Sequence, residues 1–254
     1  MIAMRKTVFV VCILFCYGIG FSQIKPNERL VYAASYKMSG LMTQLAQVTM
    51  STETIKTSKK NFLHLTWEAS TFSKWDNYFK IRDLYETYVD PVTLKPSLYK
   101  RSMLEGRYTK SEKYIFNPNG HSISSTTKKM NRPETQKNVS LGSSTRDIIS
   151  MIYKLRTVNF AGFKPGQSAS FVIVFDEKEY PVYVKYMGIE TVSAGNFGKK
   201  QCFKVSIAAK TDKLRGKDKN LIWITTDANR VPVLIRFSIP VGVGQLSLTS
   251  ASDI

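Results

Sequence analysis

The stretch WITTDANRVPVLIRFSIPVGVG, Trp223–Gly244, holds the clearest pattern in the chain. A short apolar run enters a polar turn, and a longer alternating run leaves it. Asp227, Ala228, Asn229 and Arg230 make the turn, because Asp and Asn side chains bond nearby backbone and tolerate left-handed conformations. Val231, Val233, Ile235, Phe237, Ile239 and Val241 are then apolar at every odd position. Pro232, Leu234, Arg236, Ser238 and Pro240 stand between them. A slip of one residue would turn the whole apolar set toward water, so the alternation fixes the register. Leu246 and Leu248 carry the apolar parity to even numbers, with Gly242 and Gly244 at the change, which predicts a β-bulge there. The stretch reads as a hairpin rather than a site, and it sets the class as antiparallel β.

Working outward, the same period of two recurs. Leu63, Leu65, Trp67 and Ala69 are apolar at alternate positions. YFKIRDLYETYVD reads as a strand that ends at Asp90-Pro91. SLYKRSML, a Glu105-Gly106 turn, RYTKSEKYIF and the NPNG turn at Asn117–Gly120 continue a meander. His121–Ser143 is polar and contains Pro133; it reads as a long surface connection with at most one short strand. One helix follows, Ser144–Arg156, with Ser144 as N-cap, Asp147 three residues on, and Ile148, Ile152 and Leu155 at helical spacing. Lys154 and Arg156 in its last turn complement the helix dipole. After KPGQS, the segments ASFVIVF, YPVYVKYMG, IETVSA and KKQCFKVSIA read as strands, and KTDKLRGKDKN as a charged loop before NLIWITT.

Residues 1–22 read as a secretory signal peptide: Arg5 and Lys6, an apolar run from Val8 to Phe21, and small residues at Gly20 and Ser22. The run is too short for a spanning helix, which needs about 20 apolar residues. Removing it leaves a single β-rich domain, 23–254, with no transmembrane segment. Such a leader, cleaved after Ser22, sends the chain out of the cytoplasm. Cys12 and Cys16 leave with the signal, so Cys202 is alone and no intramolecular disulfide forms. In KQCFKVSI it reads as a small buried strand residue. With Arg5 and Lys6 set aside, 37 basic against 19 acidic residues leave a net charge of +16. Such charge suits solubility or an anionic partner. In an exported protein that partner is a phospholipid headgroup, an envelope glycolipid or an acidic polysaccharide, and not nucleic acid.

Catalytic patterns are missing. His64 lies in a strand and His121 beside a turn, without HxH or HExxH spacing. No Gly-x-Ser-x-Gly elbow and no phosphate-binding glycine loop occur. Asp76, Asp83, Glu86 and Asp90 form the densest acidic group and read as surface or turn residues, with Asp83 and Glu86 on opposite strand faces. The expectation is a protein that is not an enzyme and carries no metal or cofactor.

The ordered set YFKIRDLYETYVDPVTLKP, EGRYTKSEKYIFN, TRDIISMIYKLRT, ETVSAGNFGKKQCFKV and IWITTDANRVPVLIRF resembles the bacterial domain-of-unknown-function 3108 family of exported proteins, over about Glu28 to Leu248. That family supplies no catalytic residues to carry over. The resemblance implies a periplasmic or outer-membrane-associated β protein. The hairpins are also similar, at the level of fold, to the Lol-type lipoprotein-carrier half-barrels. The expected architecture is therefore mainly β: a curved antiparallel sheet or incomplete barrel with one principal α-helix on its inner face. A sheet lined by Trp67, Ile81, Tyr85, Trp223, Ile235 and Phe237, closed by Ile152 of the helix, makes room for a lipid-like or amphipathic ligand. The alternative is an interaction or assembly module that binds another envelope protein or an anionic glycan through its basic loops.

Overall fold

The computed structural model describes residues 24–38, 40–209, 220–239 and 242–254; the expected signal peptide (1–22), Pro240, Val241 and most of the KTDKLRGKDKN loop lie outside them. Fourteen strands follow one another: β1 (Arg29–Met38), β2 (Leu41–Lys56), β3 (Asn61–Thr71), β4 (Ile81–Val89), β5 (Pro96–Glu105), β6 (Tyr108–Phe116), β7 (Ser122–Lys129), β8 (Thr135–Ser140), β9 (Ser168–Phe175), β10 (Lys178–Ser193), β11 (Lys199–Ala209), β12 (Leu221–Thr225), β13 (Pro232–Ile239) and β14 (Gly242–Ser252). A single helical turn, α1 (Ser73–Asp76), joins β3 to β4, and the principal helix, α2 (Ile148–Arg156), joins β8 to β9. All strands belong to one open antiparallel sheet in the order β8-β7-β6-β5-β4-β3-β2-β1-β14-β13-β12-β11-β10-β9. The first and last strands meet at its middle, where β1 pairs with β14. Its two edges, β8 and β9, are neighbours in sequence, so the connection that carries α2 runs from one edge to the other.

Asp147, not Ser144, is the N-cap of α2: its carboxylate accepts from the backbone N–H groups of Ile149 and Ser150, both at 2.9 Å. The helix is therefore nine residues long, about 13 Å at 1.5 Å per residue. The expected extra helical turn from Ser144 does not form: residues 143–144 make a separate turn, and the chain then runs beside β9, held by the parallel bridge of Arg146 to Ile173. Ile149 and Tyr153 are fully buried against β1–β7, while Met151 and Leu155 close on β9–β12 together with Phe160. At the C-terminal end Arg156 grips the carboxylate of Glu28 through two 2.6 Å contacts and donates to the carbonyls of Asn229 and Arg230. The helix thus closes one end of the curved sheet, the end that carries the Asp227–Arg230 turn.

Three readings of the strands change. His121–Ser143 is not a long surface connection but the hairpin β7–β8, whose few apolar residues, Ile123 and Val139, pair directly. The parity shift after Val241 marks no bulge. Ile239 pairs with Gly242, Phe237 with Gly244 and Ile235 with Leu246, so the long run is two strands, β13 and β14. A hairpin with two residues between its strands pairs odd positions with even ones, and the apolar face continues unbroken. YPVYVKYMG and IETVSA are one strand, β10, with its register shift between Tyr186 and Gly188; Gly188 takes φ 118°, a conformation that side chains disfavour. Pro232, in an interior strand, sits at its first residue, where no ladder donor is lost.

The alternation of strand directions puts the ends of β1 and β13, the starts of β2 and β14, and turns 72–80, 106–107, 130–134 and 176–177 at one rim. The helix lies toward the other rim.

Candidate functional site

The concave face has two unlike halves. On β13, β14 and β1–β3 it is apolar and low. Ile235 pairs with Leu246, Leu246 with Ala34, and Ala34 with Ala46. Val48 pairs with Ala69, and Met50 with Trp67. Ala34, Ala46 and Ala69 therefore form a floor of small side chains. Trp67 borders it on one side, tilted against Tyr85 with ring centroids 5.2 Å apart. Phe237 borders it on the other, with its ring so close over Gly244 that a Cβ there would meet it at 2.3 Å. Ala34, Trp67, Ala69, Ile152, Ile235 and Phe237 are only partly buried, although all pack against the same core. Concave apolar surface beyond the end of the helix is left open.

Of the residues expected to line a cavity, Trp67, Tyr85, Ile152, Ile235 and Phe237 contribute to this apolar half. Ile81 shares their face, half-exposed, nearer the open rim. Trp223 does not join them. Ile222 pairs with Ile235, so the next residue, Trp223, points to the opposite face. There it is buried between two cations, with Lys204 5.4 Å and Arg236 5.3 Å from its ring.

On β4–β7 the concave face is charged. Arg101 is buried and contacts both Glu112 and Asp176. Lys110 contacts Glu112 and lies 2.6 Å from Asp176. Phe175 stacks on Arg101 at 4.5 Å. Two cations and two anions neutralise one another. Asp176 and Glu177 form the β9–β10 turn, both with positive φ and without glycine, a conformation that costs non-glycine residues energy. Charge pairing holds it in place: Glu177 accepts from Ser125, Thr127 and Lys137. The far edge of the sheet is thereby tucked under the near one. Burial opposes ionisation of Asp176, but hydrogen bonds from Lys110 and Arg101 outweigh it and hold the carboxyl well below the usual range. A cleft of about 230 Å³ opens beside this cluster, lined by residues that include Lys129, Arg132 and Lys137. Sequence carried a signal for the cluster: Lys110 and Glu112 share strand parity with the inward Tyr114 and Phe116.

Asp83 is not the surface residue its sequence context suggests. It is 8% exposed and accepts from the Leu104 N–H at 3.1 Å. Burial, helped by the nearby charge of Glu105, pushes its carboxyl up to about 6. The folded state then holds a proton that the unfolded chain releases near the ordinary value of about 4. The stability this gives is complete below about pH 4 and lost as pH rises through about 6. Asp83→Asn is expected to gain stability over the parent as pH rises from 4 to 7 in urea melts. A difference that stays constant across that range would contradict this. Cys202 is fully buried, and burial pushes its thiol up to about 12, ahead of the charges of Asp227 and Glu190. It remains protonated and inert at neutral pH. His64 stacks on Tyr88 at 4.3 Å and bonds Glu86 at 3.1 Å.

Among the described residues no helix is long and apolar enough to cross a membrane. The chain is similar to the crystal structure of a β-barrel-like protein of domain of unknown function DUF1849 from Brucella abortus, with a TM-score of 0.58 and 12% identity over 89% of this chain and 97% of that one. It also matches a candidate lipoprotein from Parabacteroides distasonis, with a TM-score of 0.36 and 10% identity over 92% of this chain and 98% of that one. A candidate exported protein with a YmcC-like fold from Bacteroides fragilis matches at a TM-score of 0.34 and 8% identity, over 92% and 99%. No curated protein matches the chain. Residues 31–249 match the model of DUF3108, a family described as protein of unknown function, and the chain belongs to that family.

Proposed function

We propose that this is an exported cell-envelope protein that holds a lipid-like or amphipathic molecule against its concave face and does not alter it chemically. One observation carries the reading: Ala34 and Ala69 of the floor, with Trp67 and Phe237 at its borders, are left half-exposed on the concave face, while Ala46 between them is buried, beside a core that is otherwise closed. Apolar surface shaped inward and uncovered by the chain's own helix is what a single acyl chain fills. The charged cluster on the neighbouring strands does not compete for this role, because its cations and carboxylates neutralise one another.

The test is titration of delipidated processed chain, residues 23–254, with short-chain phosphatidylglycerol below its micelle threshold. Trp fluorescence should change saturably, and Trp67→Phe should remove most of the change. Ala69→Phe, which fills the floor, should weaken binding at least about tenfold. Absence of any saturable change at low or high salt would overturn the reading. A second reading, an anionic glycan at the cleft beside Lys129, Arg132 and Lys137, is favoured by the basic side chains there. It predicts binding of an acidic oligosaccharide that salt abolishes.

A further inference from the structure

We propose that the open rim of the half-barrel, the end opposite α2, docks on the surface of an anionic phospholipid bilayer. Thirteen large apolar side chains are exposed among the described residues, and seven lie at this rim. Leu41 (75%), Met42, Tyr78 (81%), Phe79 (53%), Tyr108 and Met130 are six of them, and Val243 is the seventh. The opposite rim shows Val92 and, one residue inside a strand, Ile115. This asymmetry is not what a surface of scattered apolar residues looks like.

The rim is continuous. Leu45 accepts from Phe72, Lys80 from Gly106, and Thr109 from Met130, so each turn is bonded to the next. Its aromatic tip is fixed from beneath. Trp75 donates its indole N–H to the Gln44 carbonyl at 3.0 Å, and Asp76 pairs with Arg82. The backbone N–H groups of Tyr78 and Phe79 both donate to the Trp75 carbonyl. Tyr78 and Phe79 are thus held in water by an ordered connection that offers their rings little cover, which is a cost unless something else covers them.

Charge identifies the cover. Lys37, Lys74, Lys80, Arg107, Lys129 and Arg132 are exposed in or beside the same turns. The acids there are fewer and mostly engaged: Asp76 is paired with Arg82, Asp176 with Lys110 and Glu177 with Lys137, Glu105 is half-buried, and Glu134 is exposed. Aromatic and aliphatic tips ringed by basic side chains match the interface of a bilayer with anionic headgroups, where tyrosine and phenylalanine enter the headgroup layer and lysines meet phosphate. The docking surface surrounds the open end of the apolar floor, yet its existence does not depend on any cargo.

Flotation of the processed chain, residues 23–254, on a sucrose gradient tests this. It should float with vesicles of phosphatidylethanolamine and phosphatidylglycerol, and far less with phosphatidylcholine alone. The Leu41→Ser/Tyr78→Ser/Phe79→Ser variant, and separately Lys74→Glu/Lys80→Glu/Arg107→Glu, should lose at least tenfold in vesicle binding with unchanged melting. Val92→Ser at the opposite rim should bind as the parent does. Ala69→Phe should also float normally, which separates failure of the cargo reading from failure of this one. A parent that stays at the bottom with anionic vesicles, or rim variants that float as it does, would overturn the proposal.

Discussion

Arg156→Ala lowers the unfolding free energy by about 3–5 kcal/mol, the cost of removing one member of a buried ion pair. The reason is geometric. Arg156 and Glu28 expose 0% and 2% of their side chains. Arg156 also donates to the carbonyls of Asn229 and Arg230, so one guanidinium joins the end of α2, the start of β1 and the turn that opens β13. Its loss leaves a carboxylate in the interior without its partner, and three distant segments without their common tie. Arg156→Ala/Glu28→Ala should therefore be less damaging than the sum of the two single changes, as coupled residues are. Urea melts of the four proteins measure the coupling. A single-variant loss below about 1 kcal/mol, the range of exposed ion pairs, would contradict the geometry.

Arg101→Ala is expected to cost a similar amount, about 3–5 kcal/mol, by leaving Glu112 and Asp176 to share Lys110 as their one cation in that cluster. Here a local consequence is also expected. Arg101 holds Asp176 and stacks on Phe175, so it pins the tip of the β9–β10 hairpin against β5–β6. Amide exchange in 168–185 should accelerate well beyond that of β1–β3. Arg101→Lys should not restore the parent, because the nitrogen that meets both carboxylates is carried on a planar guanidinium lying over the rings of Phe175 and Tyr85, a stacking that an ammonium does not reproduce. Asp176→Ala should cost less than Arg101→Ala, since Asp176 is 36% exposed and water can replace part of its contacts. Uniform exchange throughout the sheet, or full recovery by lysine, would mean that the hairpin is held by other contacts.

The strands were legible where burial is one-sided. Alternation at Leu63, Leu65 and Trp67, and at Val231 through Ile239, identifies the inward face directly. β7 and β8 escaped because they lie at or next to an open edge, where SISSTTKK and TQKNVS need few apolar groups. The break between β13 and β14 escaped because a two-residue connection shifts parity just as a bulge does; only pairing distinguishes them. The helix was legible from Ile149 to Leu155, but its start was not. Ser144 and Asp147 are both good caps, and the choice falls to Asp147 because Thr87, on a strand sixty residues earlier, bonds its second oxygen at 2.9 Å. The candidate lining was largely read from parity, with Trp223 placed on the far face by its pairing with Leu234. The alanine floor had no sequence signal of its own: Ala34, Ala46 and Ala69 become neighbours only through the registers of β1, β2 and β3.

The central claim is that a molecule occupies the apolar floor, and the most direct measurement is native mass spectrometry of the processed protein purified from its own envelope. The account predicts a mass excess of one lipid-sized molecule, released intact by organic extraction and absent from the Ala69→Phe variant. Protein of bare sequence mass both before and after extraction, together with an Ala69→Phe variant of unchanged behaviour, would contradict it.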